Sequence, residues 1–279
     1  MAKQLEELTI VDDFMFGAVM KNPKRCKPLL EYILGVKIKK IEYPELQKTI
    51  DKQYKSKSVR LDVYVEDDKH TVYNIEIQTT RKKNLPKRLR YYQGIIDLNI
   101  IDKGEDYTSL KKSFVIFICT YDPFGAGRYI YTFRNRCDED DTIFLGDEAT
   151  KIVLNAKGTK GDISEELKDT LDFIAGKAPQ SEYAKDLQAA VEEVKQSKEW
   201  RREYMLLMMR DKEQQKMGVY RHIIAALRIN RETASKDLCI KMLNIDEELY
   251  ENPPTLLFGT VDKFAMLPWN PRIGSFLDR

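Results

Sequence analysis

A continuous apolar run near the middle of the chain constrains the fold more than any other stretch of the sequence. Residues Ser113–Cys119 read Ser-Phe-Val-Ile-Phe-Ile-Cys, without the alternation of polar and apolar residues that a half-exposed strand shows. Such a run is typical of a strand buried on both faces, and a turn over residues 121–125 ends it. Because a doubly buried strand needs cover on both faces of its sheet, the sequence predicts an α/β fold.

The other elements of this predicted core follow from hydrophobic periodicity and from capping residues. In chain order we predict a helix after Asp12 and Asp13, a helix from about Pro28 to Gly35, a strand over 36–43, a hairpin over 59–80, a helix from Pro86 to about Ile101, and strands over 113–119, 128–134 and 151–155. This order describes a sheet with helical covers.

The chain changes character after Gly161. Ser164 followed by two glutamates predicts the start of a helix that ends at Gly176, and a long, highly charged helix is predicted over 181–217. Residues 219–250 suggest two small helices, and prolines accumulate from Pro253 onward. We therefore expect a core over 1–160, a helical extension over 161–217 that packs on it, and a tail over 218–279 of uncertain role.

The predicted hairpin places acidic residues together. If it closes symmetrically about Lys69, Asp62 lies opposite Glu76, with the two Cβ atoms about 5 Å apart. Gln78 shares the face of Glu76, because side chains alternate along a strand. Two carboxylates on one face suit a hard divalent cation, and the backbone carbonyl of Ile77 can add an oxygen ligand. The alternative is an ordinary polar sheet surface exposed to solvent.

Cations follow the acids in the sequence. Lys82, Lys83, Lys87 and Arg88 come directly after the hairpin, and a helix there presents Arg88 and Tyr92 on one face. Lysine and arginine beside a carboxylate–metal site suit a phosphate backbone, and tyrosine can stack on bases. The alternative is a solvated connection between two elements.

Several classes of protein are excluded by what the sequence lacks. The four cysteines are dispersed without a C-x-x-C pair, and the chain has two histidines, which argues against a zinc ribbon or a histidine-based metal site. No phosphate-binding loop, dinucleotide fingerprint or nucleophile elbow is present, so we expect no nucleotide cofactor. With a net charge of +2 and no long apolar run or apolar leader, we expect a soluble, cytoplasmic protein with no membrane partner.

The ordered set of motifs resembles the recombination-promoting nuclease and transposase family of bacteria, a branch of the PD-(D/E)XK nuclease superfamily. The likeness extends over roughly residues 5–217. It rests on the stretches Asp-Asp-Phe-Met-Phe at 12–16, Arg-Leu-Asp-Val at 60–63, Ile-Glu-Ile-Gln at 75–78, Leu-Pro-Lys-Arg-Leu-Arg-Tyr-Tyr at 85–92, and Gly-Glu-Asp-Tyr at 104–107 before the buried strand.

This resemblance implies a restriction-endonuclease-like core: a mixed sheet flanked by helices, with a helical C-terminal extension. It implies a DNA endonuclease that uses Mg²⁺ or Mn²⁺, linked to recombination or mobile elements. Asp62 and Glu76 become metal ligands, and Asp13 becomes a supporting acid. Gln78 takes the position of the superfamily's usual lysine, and Leu61 stands where a proline usually precedes the first acid. Homodimerisation is left open.

Two other hypotheses remain at this point. The same fold can be catalytically inactive and hold nucleic acid or a protein partner. Alternatively, the chain can be an interaction protein that works through its long charged helix and through residues 253–279. Cleavage of DNA distinguishes the endonuclease hypothesis from both of these.

Overall fold

A computed structural model describes residues 3–43, 62–210 and 212 of the chain. Its regular elements are helices α1 (Asp13–Met20), α2 (Pro23–Leu34), α3 (Leu85–Ile100), α4 (Glu165–Ile174) and α5 (Glu182–Gln196), and strands β1 (Ile41–Glu42), β2 (Val63–Asp67), β3 (Val72–Gln78), β4 (Ser113–Cys119), β5 (Ile130–Phe133) and β6 (Ala149–Asn155). Short 3₁₀ turns lie at Leu5–Glu7 and Tyr107–Ser109. Residues 198–210 are also helical.

The strands form one mixed sheet in the order β1-β2-β3-β4-β6-β5. The three central strands β3, β4 and β6 run parallel, whereas β1, β2 and β5 pair antiparallel with their neighbours. Helices flank this sheet, so the predicted α/β class is confirmed. Because parallel strands end at a common edge, the carboxyl ends of β3, β4 and β6 lie side by side.

The sheet has a different apolar layer on each face. Ile75 and Ile77 pack with α1, α2, α4 and α5, whereas Phe117 and Val153 pack with Tyr92 and other side chains of α3. Successive residues of β4 alternate between these layers, and all but Phe114 are buried. The apolar run of β4 is therefore explained by cover on both faces, as the sequence predicted.

Local signals predicted many of the boundaries correctly. Strand β4 has the predicted bounds, and α3 begins with Pro86 in its first turn, where the missing N–H costs no hydrogen bond. Helix α4 begins after Ser164, whose side chain accepts a hydrogen bond from the Leu167 N–H at 3.2 Å. These elements are specified by residues within or beside them.

The predictions around α2 and β1 were wrong in extent. Helix α2 starts at Pro23 instead of Pro28, because the Asn22 side chain caps it by accepting from the Lys24 N–H at 3.0 Å. The strand predicted over 36–43 is reduced to Ile41–Glu42. Ahead of it, the N–H groups of residues 39 and 40 bond the side chain of Asp68 instead of a neighbouring strand.

The long helix predicted over 181–217 is interrupted. Helix α5 begins after the predicted Ser181 but ends at Gln196, where Ser197 adopts an extended conformation. The Ser197 hydroxyl accepts from the Trp200 N–H at 3.3 Å and so begins the helical segment over 198–210. The break turns two shorter apolar stripes toward the core, since Val194 and Trp200 both pack there.

Some predictions fall on other parts of the chain. The helices expected over 219–250 and the proline-rich segment from Pro253 lie outside the described residues, as do residues 59–61 of the predicted hairpin. The described residues up to Leu207 belong to one compact unit. The domain boundaries at 160 and 217 stay predictions. Among the described residues no helix is long and apolar enough to cross a membrane.

Substitutions at two separate glycines test the packing at the carboxyl edge of the sheet: Gly158 lies at this edge, and Gly94 in α3 is the comparison. A Cβ at Gly158, just after β6, would lie 2.6 Å from the Cα of Tyr129, so Gly158→Ala should destabilise the protein by about 2–3 kcal/mol. Gly94 in α3 has nothing within 4 Å of its Cβ position, so Gly94→Ala should stabilise by about 0.5–1 kcal/mol. Urea denaturation measures both, and equal effects at the two positions would contradict this packing.

Candidate active site

The hairpin of β2 and β3 has the predicted register. Val63 pairs with Ile75 and Glu66 with Val72, so the pairing is symmetric about Lys69 and its continuation places Asp62 opposite Glu76. The Asp62 N–H donates to Glu76 Oε1 at 3.0 Å, and the Ile77 N–H donates to Asp62 Oδ2 at 3.1 Å. Each carboxylate therefore accepts a backbone N–H from the opposite strand segment, Glu76 from Asp62 and Asp62 from Ile77.

Glu76 lies in the interior, on the face covered by α3. It is 2 % exposed, whereas Asp62 at the end of the hairpin is half-buried. Burial, and then repulsion from the Asp62 carboxylate, raises the pKa of Glu76 well above its usual range. Hydrogen bonds from the Asp62 N–H and from the Tyr92 hydroxyl offset part of this rise. The metal-free site therefore favours the protonated form of Glu76.

Helix α3 brings a cation to the end of β3. The Arg88 guanidinium donates to Gln78 Oε1 and, at 3.3 Å, to the Tyr92 hydroxyl, which in turn bonds the Glu76 carboxyl. It also lies 5.4 Å from the ring centre of Phe117. The sequence placed Arg88 and Tyr92 on one helix face, which is confirmed, but it gave no sign that Arg88 reaches Gln78.

Gln78 uses both ends of its amide. Its Oε1 accepts from Arg88, and its Nε2 donates to the Ile77 carbonyl at 2.6 Å. That carbonyl is the oxygen predicted as a third metal ligand, so a cation that binds there shares the oxygen with the Gln78 amide or displaces that amide. A closed set of hydrogen bonds therefore joins Arg88, Gln78, Ile77, Asp62, Glu76 and Tyr92.

The donor atoms fit a cation that keeps part of its hydration shell. Mg²⁺ in proteins is commonly held by one or two carboxylates together with water and phosphate oxygens, and Asp62 and Glu76 supply two carboxylates. Asn74, fully buried on the same face, is near enough to Glu76 to favour its ionised form, but its amide makes no well-formed hydrogen bond within the described part of the chain. Water on a bound cation could satisfy such an amide.

Asp13 lies on α1, which meets the hairpin from the other side. The helix approaches closely at Gly17, where an added Cβ would lie 3.1 Å from the Asp62 carbonyl oxygen. Asp13 is exposed, one turn before Gly17. Within residues 3–43, 62–210 and 212, no three acidic, histidine or cysteine side chains form a metal-binding group. The supporting role of Asp13 stays a prediction.

The remaining residues predicted to contact DNA are three lysines near the start of α3 and Tyr92 in the middle of that helix. Lys82, Lys83 and Lys87 are exposed and form no salt bridge with any residue that the structure describes, whereas Tyr92 is buried. Exposed cations near a helix N-terminus attract anions. The three lysines can thus meet a phosphate backbone, while Tyr92 is placed to support Glu76.

Comparison with known proteins gives one match. The family model described as PD-(D/E)XK nuclease family transposase matches residues 13–215, a span that contains every element of the site. No curated protein and no solved structure matches the chain.

Proposed function

Because the chain belongs to the PD-(D/E)XK nuclease family transposases, we propose that it is a metal-dependent endonuclease that hydrolyses phosphodiester bonds in DNA. The observation that carries the proposal is the pair of half-buried Asp62 and buried Glu76, with Arg88 joined to it through Gln78 and Tyr92. Paired carboxylates with a nearby cation match the charge demands of phosphodiester hydrolysis.

Asp62 and Glu76 would hold the cation, Mg²⁺ or Mn²⁺. When bound, such an ion polarises the phosphodiester and lowers the pKa of a coordinated water. Ile77 fixes the direction of the Asp62 carboxylate through its N–H. Asp13, at the start of α1, is proposed as a supporting acid near the same edge.

Arg88 would supply the positive charge that Gln78 lacks. A glutamine amide can orient a water molecule or a phosphate oxygen but carries no charge. Arg88 touches that amide, and its guanidinium keeps further N–H donors for a phosphate oxygen. Lys82, Lys83 and Lys87 would hold the DNA backbone beside it, and Tyr92 would keep Glu76 in place.

Cleavage of supercoiled plasmid tests the proposal. The purified full-length chain should nick or linearise DNA in Mg²⁺ or Mn²⁺ and should be inactive in EDTA, because the carboxylate pair needs a counter-ion. Ca²⁺ in place of Mg²⁺ serves as the control for binding without efficient cleavage. No cleavage with any of these ions at saturating DNA would overturn the proposal.

One observation favours a second candidate, an inactive fold that binds nucleic acid. Both polar ends of the Gln78 amide are engaged within the protein, including the bond to the Ile77 carbonyl. If these bonds persist with DNA bound, Gln78 contributes nothing to catalysis. This candidate predicts salt-sensitive DNA binding with no cleavage under the conditions above.

A substitution at Arg88 distinguishes the contribution of its positive charge from that of its planar, forked guanidinium group. Arg88→Lys keeps the charge, but one ammonium cannot replace the planar fork, so single-turnover cleavage should slow by about 10- to 100-fold. DNA affinity should change little, because the net charge is unchanged. Arg90→Lys, an exposed position on the same helix, is the matched control. Equal rates for the two variants would contradict a role for the fork.

A further inference from the structure

A groove opens at the carboxyl edge of the sheet, on the face away from α3. It encloses about 750 Å³ between residues 9–11, which precede α1, the segments that follow the central strands, and helices α4 and α5. Thr79 and Thr120 form part of its lining, and the Thr120 N–H donates to the Gln78 carbonyl at 3.0 Å. The groove therefore begins one residue beyond the proposed catalytic strand segment.

The lining of the groove combines apolar and polar side chains. Ile10, Val11, Phe173 and Val191 contribute apolar surface, while the threonines add hydroxyl groups. Pockets of a few hundred cubic ångströms with apolar walls and a few polar groups hold ligands of nucleotide size. The apolar surface suits the face of a base, and the hydroxyls suit its hydrogen-bonding edge.

The charges of the lysines that line the groove favour a phosphate. Lys177 is bound to Asp172 at 2.7 Å, and Lys195 to Glu192 at 2.9 Å. Lys157, which follows β6, is exposed and forms no ion pair with the residues described in the structure. Its charge is thus available to an incoming anion beside the carboxyl end of β6.

We propose that this groove holds an unpaired nucleotide of the DNA strand beside the scissile phosphate, with its base against the apolar wall and its phosphate at Lys157. The inference rests on the proposed DNA cleavage. A base inside a duplex cannot enter the groove, so the preferred substrate is DNA with unpaired bases next to the cleavage point. A peptide side chain is the other kind of occupant that such walls accept.

Binding of two DNA probes to the full-length Asp62→Asn protein tests the inference. The probes are a fully paired duplex and the same duplex with a short central bulge that contains 2-aminopurine. Bulged DNA should bind about tenfold more tightly, and the 2-aminopurine fluorescence should change on binding. Equal affinity for the two probes would overturn the inference. A groove that accepts peptide side chains instead of bases would give this result.

Two matched pairs of variants locate the effect. Ala178→Leu narrows the groove with a side chain that has no aromatic ring on which a base could stack, so it should abolish the preference for bulged DNA. Ala189→Leu, at an exposed position on α5, should leave that preference unchanged. Lys157→Gln should weaken binding of the bulged probe about fivefold and lower the salt dependence by about one charge, unlike the exposed Lys168→Gln. A preference unchanged by Ala178→Leu would place the unpaired base elsewhere.

The failure of this inference is distinguishable from that of the proposed function. If the parent protein cuts paired DNA in Mg²⁺ but the inactive variant binds both probes equally, only the groove assignment fails. If the parent cuts neither probe and the variant binds neither, the proposed nuclease activity fails, and the groove assignment fails with it.

Discussion

Asp62→Asn should slow DNA cleavage in Mg²⁺ by on the order of a thousandfold or more, which corresponds to about 4 kcal/mol of lost transition-state stabilisation. Asparagine keeps the shape of the side chain, and its oxygen can still accept from the Ile77 N–H. The backbone bond from residue 62 to Glu76 is also kept. The variant should therefore fold normally while it lacks one of the two negative charges that hold the cation.

The rate is measured by single-turnover cleavage of a labelled duplex at saturating protein. Asp68→Asn is the matched control, because Asp68 is exposed in the turn of the same hairpin and lies at its opposite end. Circular dichroism of both variants checks the fold. If Asp62→Asn and Asp68→Asn cut at the same rate as the parent, Asp62 does not hold the catalytic cation.

Glu76→Gln should have two opposite effects: loss of cleavage, and stabilisation of the metal-free protein by about 2–3 kcal/mol near pH 8. The stabilisation follows from the raised pKa of Glu76, which burial and the Asp62 carboxylate cause. A neutral glutamine fills the same space without a charge to bury. It can still accept from the Asp62 N–H through its oxygen.

The pH dependence gives the sign of this effect. Below the ordinary pKa of a glutamate, about 4.3, the carboxyl is protonated in both the folded and the unfolded chain, so parent and variant should be equally stable. Above it the unfolded chain releases the proton while the folded chain keeps it, so the parent loses stability as pH rises toward the raised folded pKa. The variant lacks this loss.

Urea denaturation in EDTA from about pH 4 to pH 9 measures the difference in unfolding free energy. Added Mg²⁺ should stabilise the parent and leave the Gln variant nearly unchanged, because a ligand stabilises only the state that binds it. A stability difference that stays constant across this pH range would show that Glu76 is ionised in the metal-free fold.

Local sequence signals were sufficient for the acid pair. The turn around Lys69 and the alternation of β3 specified the register, and hairpin register then placed Asp62 opposite Glu76. The doubly buried β4 was readable because every residue in it is compatible with cover on both faces. These features depend on neighbours within about twenty residues, where periodicity and turn chemistry decide the structure.

The contacts that complete the site were not readable in the same way. Arg88 reaches Gln78 only because α3 docks on Phe117 and Val153 at one particular position, and docking depends on residues far along the chain. The approach of Gly17 to the Asp62 carbonyl likewise joins two segments that are distant in sequence. Side-chain periodicity reports which face is buried but not which atoms meet there.

The order of strands in the sheet has a consequence for the newly made chain on the ribosome. Both acids have been synthesised once translation reaches Gln78. The surface against which Arg88 packs comes from β4 and β6, which are translated later. The acidic residues are therefore synthesised well before Arg88 can take its position in the site. A chain that stops short of Ala149 therefore has both acids but lacks strand β6 and so lacks the assembled centre.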